Sequence, residues 1–472
     1  MHKVKQNHLL AGALITIFST NILAGTSDLF GGGNGSQKKT ITTSSNEIKK
    51  ITDEAEAFAQ NKSQKLAPFF KNLWMEGERN AVLNLDYLGL AAIEAGDLNV
   101  AKAAFDESIL RFETIYSGDK SAEKAKSLWN KEEVKDFKGE PYERSMAYYY
   151  RGILYLKDGD YQNARAAFLS AERHDTFSEV EKFQGDFGLM NFLAAWSSYC
   201  DGDDSRGREL FSRAVDQDKT HFGSIKYDLP YIVLTETGGA PQKVGAGKFN
   251  EVLQIVPSKD VDKFKKIHFN NSNPILVSNS PSLVGDVTFQ ATTRGGRPVQ
   301  GILNGKANFK DNLNTAGDTA VAVGTTVMTT SAYSGNNDAA TAGALIAVIG
   351  FFSKAVSSAV TPKADMRAWS TLPSNVYLSQ MKALPKNPSM GIDYFDDDNS
   401  VKPFATSISN KTKSCGFTWN RTRSALTTDK GGVANINQLP EIDESNRSDK
   451  NNAFRIMLQE RFLSNPSSTA LN

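Results

Sequence analysis

The sequence predicts an α-helical repeat domain followed by a mixed α+β domain. Three observations carry this expectation. From about Asn46 to Asp218, Leu, Ala, Phe and Tyr recur at spacings of three and four, the helical period, and the only prolines are Pro68 and Pro141. Within that stretch a glycine-anchored pattern occurs three times. From about Pro230 Gly, Pro, Ser, Thr and Asn rise, and alternating stretches such as Asp286 to Thr292 read as half-buried strands. The boundary falls near 225–255, giving a helical domain over 46–225, an α+β domain over 255–425 and a polar tail over 427–472.

In chain order, the first feature is a short basic stretch with Lys3 and Lys5, followed by a largely apolar run from Leu9 to Leu23 and by Ala24, Gly25, Thr26 and Ser27. A basic start, an apolar run of about 7–15 residues and small residues at its exit describe a secretory signal peptide, cleaved after Ala24. The expected compartment is the bacterial periplasm. Cleavage would leave 52 basic against 53 acidic residues. Residues 25–45, with Gly31-Gly32-Gly33-Asn34-Gly35-Ser36, have the composition of a flexible linker.

The repeat is the strongest signal. Gly96-Asp97 is followed by Ala101 and Phe105, Gly159-Asp160 by Ala164, Phe168 and Ala171, and Gly202-Asp203 by Gly207, Phe211 and Ala214. Seven residues before each turn glycine stands Gly89, Gly152 or Ala195. Mechanically, the early small residue lets a first helix pack closely. The Gly-Asp pair ends that helix, and Ala and Phe of the second helix insert a small and a large side chain between hairpins. Leu85-Gly89-Ala101-Phe105 and Tyr148-Gly152-Tyr155-Ala164-Phe168-Ala171 resemble the tetratricopeptide repeat. The turn glycines are 63 and 43 residues apart, against about 34 in a regular array. Residues from Lys120 to Arg144 therefore read as a charged insertion or a poorly matching repeat.

Four strings carry a wider resemblance: Phe137 to Arg144 (FKGEPYER), Glu236 to Pro241 (ETGGAP), Phe289 to Pro298 (FQATTRGGRP) and Ala364 to Pro373 (ADMRAWSTLP). With the repeats, they resemble an uncharacterised family of exported bacterial proteins with tetratricopeptide-like repeats, over roughly residues 45–385. The resemblance implies compartment and architecture and supplies no catalytic residues. Many of its members are lipoproteins, whereas no cysteine stands directly after the apolar run here.

Other stretches bear on function. Residues 315–360, rich in Ala, Gly, Thr and Val, carry Gly317 and Gly324, and Gly343 and Gly350, at heptad spacing. They read as a tightly packed helical hairpin; insertion of that hairpin into a membrane is the alternative function. Gly245-Ala246-Gly247-Lys248 ends in Phe249 where a phosphate loop requires Ser or Thr, so it reads as a loop. Asp396 to Ser400 reads as a solvated acidic turn. His174, His221 and His268 show no metal-ligand spacing, and no Gly-x-Ser-x-Gly elbow is present. Cys200 reads as a buried thiol; the alternative is a disulfide to Cys415, stabilising by about 2–4 kcal/mol. Residues from Asn452 to Ser464 are expected to form one amphipathic helix.

The global numbers narrow the classes. The 472 residues suffice for two or three domains. Lys and Arg number 54 and Asp and Glu 53, which argues against a nucleic-acid partner. A mean hydropathy of −0.40 excludes a polytopic membrane protein. Two cysteines and five histidines leave little material for a metal centre, and no cofactor is implied. The expected function is that of an exported, non-enzymatic scaffold with a protein or peptide partner in the cell envelope and, at most, peripheral contact with the membrane. Helix positions not needed for repeat packing would line its concave surface. They are Tyr149, Ile153 and Lys157 in the second unit and Phe192, Trp196 and Tyr199 in the third, and their aromatic side chains are candidate anchors.

Overall fold

The computed structural model describes residues 45–117, 136–175, 186–246, 252–258, 266–269, 276–278, 280–293, 365–385, 392–395, 406–426 and 448–463. The signal segment, the linker up to residue 44, the hairpin at 315–360, the acidic turn at 396–400 and residues 427–447 lie outside them.

The first half consists of paired helices. Helices α1 (Ser45–Ala59) and α2 (Ala67–Glu76) lead through a 3-10 turn (Gly77–Asn80) into three hairpins: α3 (Ala81–Ala95) with α4 (Leu98–Ser117), α5 (Pro141–Asp158) with α6 (Tyr161–Asp175), and α7 (Gly188–Cys200) with α8 (Asp204–Gln217). The short helix α9 (Lys219–Phe222) closes this part.

The three turns share one construction. Gly96, Gly159 and Gly202 adopt φ of 81°, 74° and 89°, the left-handed conformation that ends a helix. The following aspartate sends its amide back to the carbonyl of Ala92, Tyr155 or Ser198 at 2.9–3.0 Å. Its carboxylate then caps the next helix, accepting from the amides of Val100, Asn163 and Arg206 at 3.2, 3.1 and 3.0 Å. Glycine thus stops one helix and aspartate starts the next.

Gly89 and Gly152 serve close approach. A Cβ on either would collide with the ring of Phe105 or Phe168, so each phenylalanine is seated against the glycine of its own hairpin, and Phe105 also stacks on Tyr150 of the next hairpin with ring centroids 5.8 Å apart. The third hairpin differs: Phe211 is half-buried, with ring centroids 6.4 Å from Phe192 and 5.3 Å from Tyr227.

Strands begin at Tyr231. A mixed five-stranded sheet has the order β5-β6-β1-β9-β8, built from β1 (Tyr231–Thr237), β5 (Ser282–Asp286), β6 (Asn375–Met381), β8 (Thr406–Lys411) and β9 (Gly416–Arg421). The central strand β1 runs antiparallel to β6 and parallel to β9. Two ribbons accompany it, β2 (Gln242–Ala246) with β3 (Val252–Val256) and β4 (Lys266–Phe269) with β7 (Ile392–Phe395). Gly245 and Ala246, expected in a loop, end β2.

The stretch expected as a strand at Asp286 to Thr292 is a helix, α10 (Val287–Thr293), after its first residue. The Asp286 carboxylate accepts from the Phe289 amide at 2.7 Å and caps it. Val287, Gln290 and Ala291 are buried, a helical spacing. The last described element is α11 (Ser448–Leu463).

One hydrophobic core joins helices and sheet. Alternate residues of β1 separate by face: Ile232 and Leu234 enter the core with Tyr149, Tyr150 and Ile153, while Tyr231 and Val233 cluster with Tyr377 and Met381 on the opposite face. Cys200 and Cys415 form a disulfide with a Cα–Cα distance of 5.6 Å, so the free thiol expected at Cys200 is corrected. It ties the end of α7 to the turn between β8 and β9. No helix among the described residues is long and apolar enough to cross a membrane.

Candidate functional site

The six residues expected to line an open concave surface pack against other parts of the chain itself. Tyr149, Ile153, Phe192 and Trp196 are completely buried. The Trp196 indole donates to the Leu229 carbonyl at 2.8 Å. Lys157 donates to the Ser409 carbonyl on edge strand β8 at 2.7 Å, and Tyr199 is half-buried with its ring 6.4 Å from that of Tyr227. The expectation of an exposed binding groove is therefore corrected. An apolar helix face and an apolar sheet face meet, and burial of both is favoured over leaving either in water.

Polar residues gather at two buried points of the same junction, and three of the four strings named above contribute to them. At the first, Glu236 of β1 faces the helices. Its Oε1 accepts from the Trp419 indole at 2.8 Å; its Oε2 accepts from the Tyr150 hydroxyl at 2.9 Å and lies 3.0 Å from Arg421 Nε. Arg421 also reaches Glu94 of α3 at 3.3 Å, and Glu94 accepts from Ser424 Oγ and the Ala425 amide at 2.6 and 2.7 Å. Burial pushes the Glu236 carboxyl above its usual range, opposed by Arg421 and by the bonds from Trp419 and Tyr150. Burial also disfavours the Arg421 charge, but Tyr150, Glu236 and Glu94 outweigh it and hold the guanidinium charged.

At the second point Glu143 is the acceptor. Its Oε1 takes the Trp369 amide at 2.8 Å, and its Oε2 takes the Glu140 amide and Lys243 Nζ, each at 2.7 Å. The Glu140–Glu143 pair is also the capping box that starts α5. Lys243, with its side chain 2% exposed, further donates to the Arg367 carbonyl at 2.8 Å. Arg367 pairs with Asp365 at 2.7 Å, reaches Asn80 Oδ1 at 2.6 Å and stacks over Phe137 at 5.3 Å. The fourth string contributes Phe289, which is exposed, and Gln290, which donates to the Asp186 carbonyl at 3.4 Å; its residues 294–298 lie outside the described part.

Two further buried groups lie between helices. Asp86 accepts from Ser108 Oγ at 2.6 Å, and its burial, with Glu143 nearby, pushes its carboxyl well up. His174 Nδ1 accepts from Arg144 Nε at 3.2 Å, which leaves Nε2 to donate to Glu113 Oε1 at 2.7 Å. Burial, aided by Arg144 and Arg173, lowers its pKa to about 4, so it is neutral near pH 7. His221 pairs with Asp218 at 2.5 Å, and His268 lies in β4. Among the described residues no group of three His, Cys, Asp or Glu could hold a metal ion.

At each point every carboxylate oxygen of Glu236 and Glu143 faces a fixed donor. What the arrangement can do chemically is lock helices to sheet. Sequence reasoning assigned these residues no role, although Glu236 sits in phase with Ile232 and Leu234, a charged residue where the strand pattern demands an apolar one. The chain matches no family model, no curated protein and no solved structure.

Proposed function

We propose that this chain is an exported, non-enzymatic scaffold of the bacterial cell envelope, in which tetratricopeptide-like hairpins and a sheet act as one body toward a protein partner. The observation that carries the reading is that the buried carboxylates of the two polar points are engaged by donors from within the fold. Glu236 pairs with Arg421 and Glu143 with Lys243, and exposed residues of the outer helices are available for contact with other molecules. The shared Gly-Asp turn supports the repeat reading. The Cys200–Cys415 bond supports an oxidising compartment, since such bonds are rare in cytosolic proteins.

The test combines fractionation with crosslinking in the producing cell. The chain should appear in the periplasmic fraction, shortened by about 24 residues as signal processing requires, and oxidised at Cys200 and Cys415. Photoactivatable residues at exposed Asp106 and Gln162, on outer helices α4 and α6, should each yield a discrete adduct. An unprocessed cytoplasmic chain would overturn the export reading, and the absence of adducts along α4, α6 and α8 would overturn the scaffold reading.

A further inference from the structure

Helix α11 follows residues 427–447 in sequence and packs on the first helices through one face. Asn451, Phe454, Arg455, Leu458 and Phe462 follow the helical spacing of one face, and all five are buried. Phe462 meets Phe70 of α2 edge-on at 5.3 Å, and Phe454 lies under the Arg111 guanidinium at 4.6 Å.

The polar members of that face read backbone groups. Arg455 Nε donates to the Trp74 carbonyl at 3.1 Å, and Asn451 Oδ1 accepts from the Glu78 amide at 3.0 Å. Trp74 lies in the last turn of α2 and Glu78 in the turn that follows, where a helix leaves backbone groups without partners in its own ladder. Gly77, between them, has φ 63°, and a Cβ there would collide with the Asn451 amide. The receptor returns the contact: Lys62 donates to the Phe462 carbonyl at the far end of α11. Charge runs in the same sense, with Lys450 facing Asp136 at 3.8 Å and Arg461 facing Glu107 at 3.6 Å.

We propose that this face of α1, α2, the 3-10 turn and α4 is a helix-docking site, filled in cis by α11 and open in trans to a partner's helix. The matching helix carries Asn, an aromatic residue three positions on, Arg at four, Leu at seven and an aromatic at eleven. A helix in an apolar groove, anchored by aromatic side chains and oriented by a few polar readers, is a general mode of protein recognition. α11 is then the internal competitor, and partner binding requires its release. The proposal rests on the scaffold reading for its use; the docking itself does not depend on compartment or export.

The experiment uses the full chain and a labelled 16-residue peptide of the α11 sequence. In the variant Phe454→Ala/Leu458→Ala/Phe462→Ala the site is vacated, and fluorescence anisotropy should show saturable binding. The unmodified chain, whose competent fraction is small, should bind at least about tenfold more weakly. A peptide carrying Asn451→Ala and Arg455→Ala should lose at least about tenfold against the vacated site. No saturable binding to a variant that keeps its disulfide and near-ultraviolet dichroism would overturn the proposal, as would equal binding of a scrambled peptide. If the triple variant does not fold, excess peptide should speed hydrogen exchange in α11 of the unmodified chain, and unchanged exchange there overturns the proposal. Peptide binding without adducts in the producing cell would sink the scaffold reading alone.

Discussion

The neutral His174 makes the stability of the fold depend on pH in a calculable way. Its ring is held between Arg144 and Glu113, stacked against Tyr148 at 5.4 Å and met edge-on by Phe112 at 5.3 Å. Its pKa falls from 6.5 to about 4 on folding. Between those values the unfolded chain binds a proton that the folded chain refuses, so stability falls as pH falls and stops falling below the folded pKa. From pH 7 to pH 5 this one group should cost about 2 kcal/mol. Glu113, whose carboxyl is lowered by the His174 and Tyr148 bonds against the opposing effect of burial, acts in the same sense only below the ordinary carboxylate range. Urea unfolding at pH 7 and pH 5, run on the chain and on His174→Gln, isolates the effect. The difference between the two pH values should shrink by about 2 kcal/mol in the variant. An equal pH dependence in both proteins would refute the neutral, buried histidine.

Three further outcomes follow from the packing. Phe168→Ala should cost about 3–5 kcal/mol, because the ring is fully buried against Gly152; a loss below about 1 kcal/mol in chemical denaturation would refute that seating. Replacing Cys200 and Cys415 by Ser opens a link across 215 residues and should cost about 2–5 kcal/mol, read from the urea midpoint beside a non-reducing gel of the parent; an unchanged midpoint would refute it. Asp86→Asn should be tolerated, with an advantage that grows as pH rises. The raised carboxyl makes ionisation a burden above the unfolded pKa, and asparagine keeps an acceptor for Ser108; a variant less stable than the parent at pH 7 would refute the reading.

Local chemistry made the first half of the fold legible. A Gly-Asp turn is decided by the conformational range of glycine and the capping reach of aspartate, both acting within four residues, so the three turns could be placed without knowing their surroundings. Two misreadings have the opposite origin. Val287 to Thr293 carries β-favouring residues in alternation, yet the Asp286 cap and burial at helical spacing prevail, and only packing on the sheet shows which face is buried. Cys200 and Cys415 meet because the β8–β9 turn lies at the end of α7, a juxtaposition set by docking of the sheet rather than by anything near either cysteine. The same docking covers Tyr149 and Ile153, while Phe192 packs on Phe211 and Phe222 and Trp196 on Tyr161. An aromatic helix face reads identically whether a partner covers it or a later part of the same chain does.

The polar junction was legible in one respect that periodicity supplies. Along β1 the residues facing the helices are Ile232, Leu234 and Glu236; along β9 they are Phe417, Trp419 and Arg421. Each strand ends its apolar series with a charge, and the two charges are opposite. The parallel register of β1 with β9 sets Glu236 directly beside Arg421. A slip of one residue would turn one charge to the opposite face and leave the other buried without its partner. Removing one partner of a buried pair costs about 3–5 kcal/mol, whereas replacing both by apolar residues is often neutral. The pair is therefore expected to contribute less to net stability than to the choice of one register among the apolar alternatives. Glu94 carries the same contact from the sheet to α3, so one arginine bonds both the neighbouring strand and the helix on which the sheet is seated.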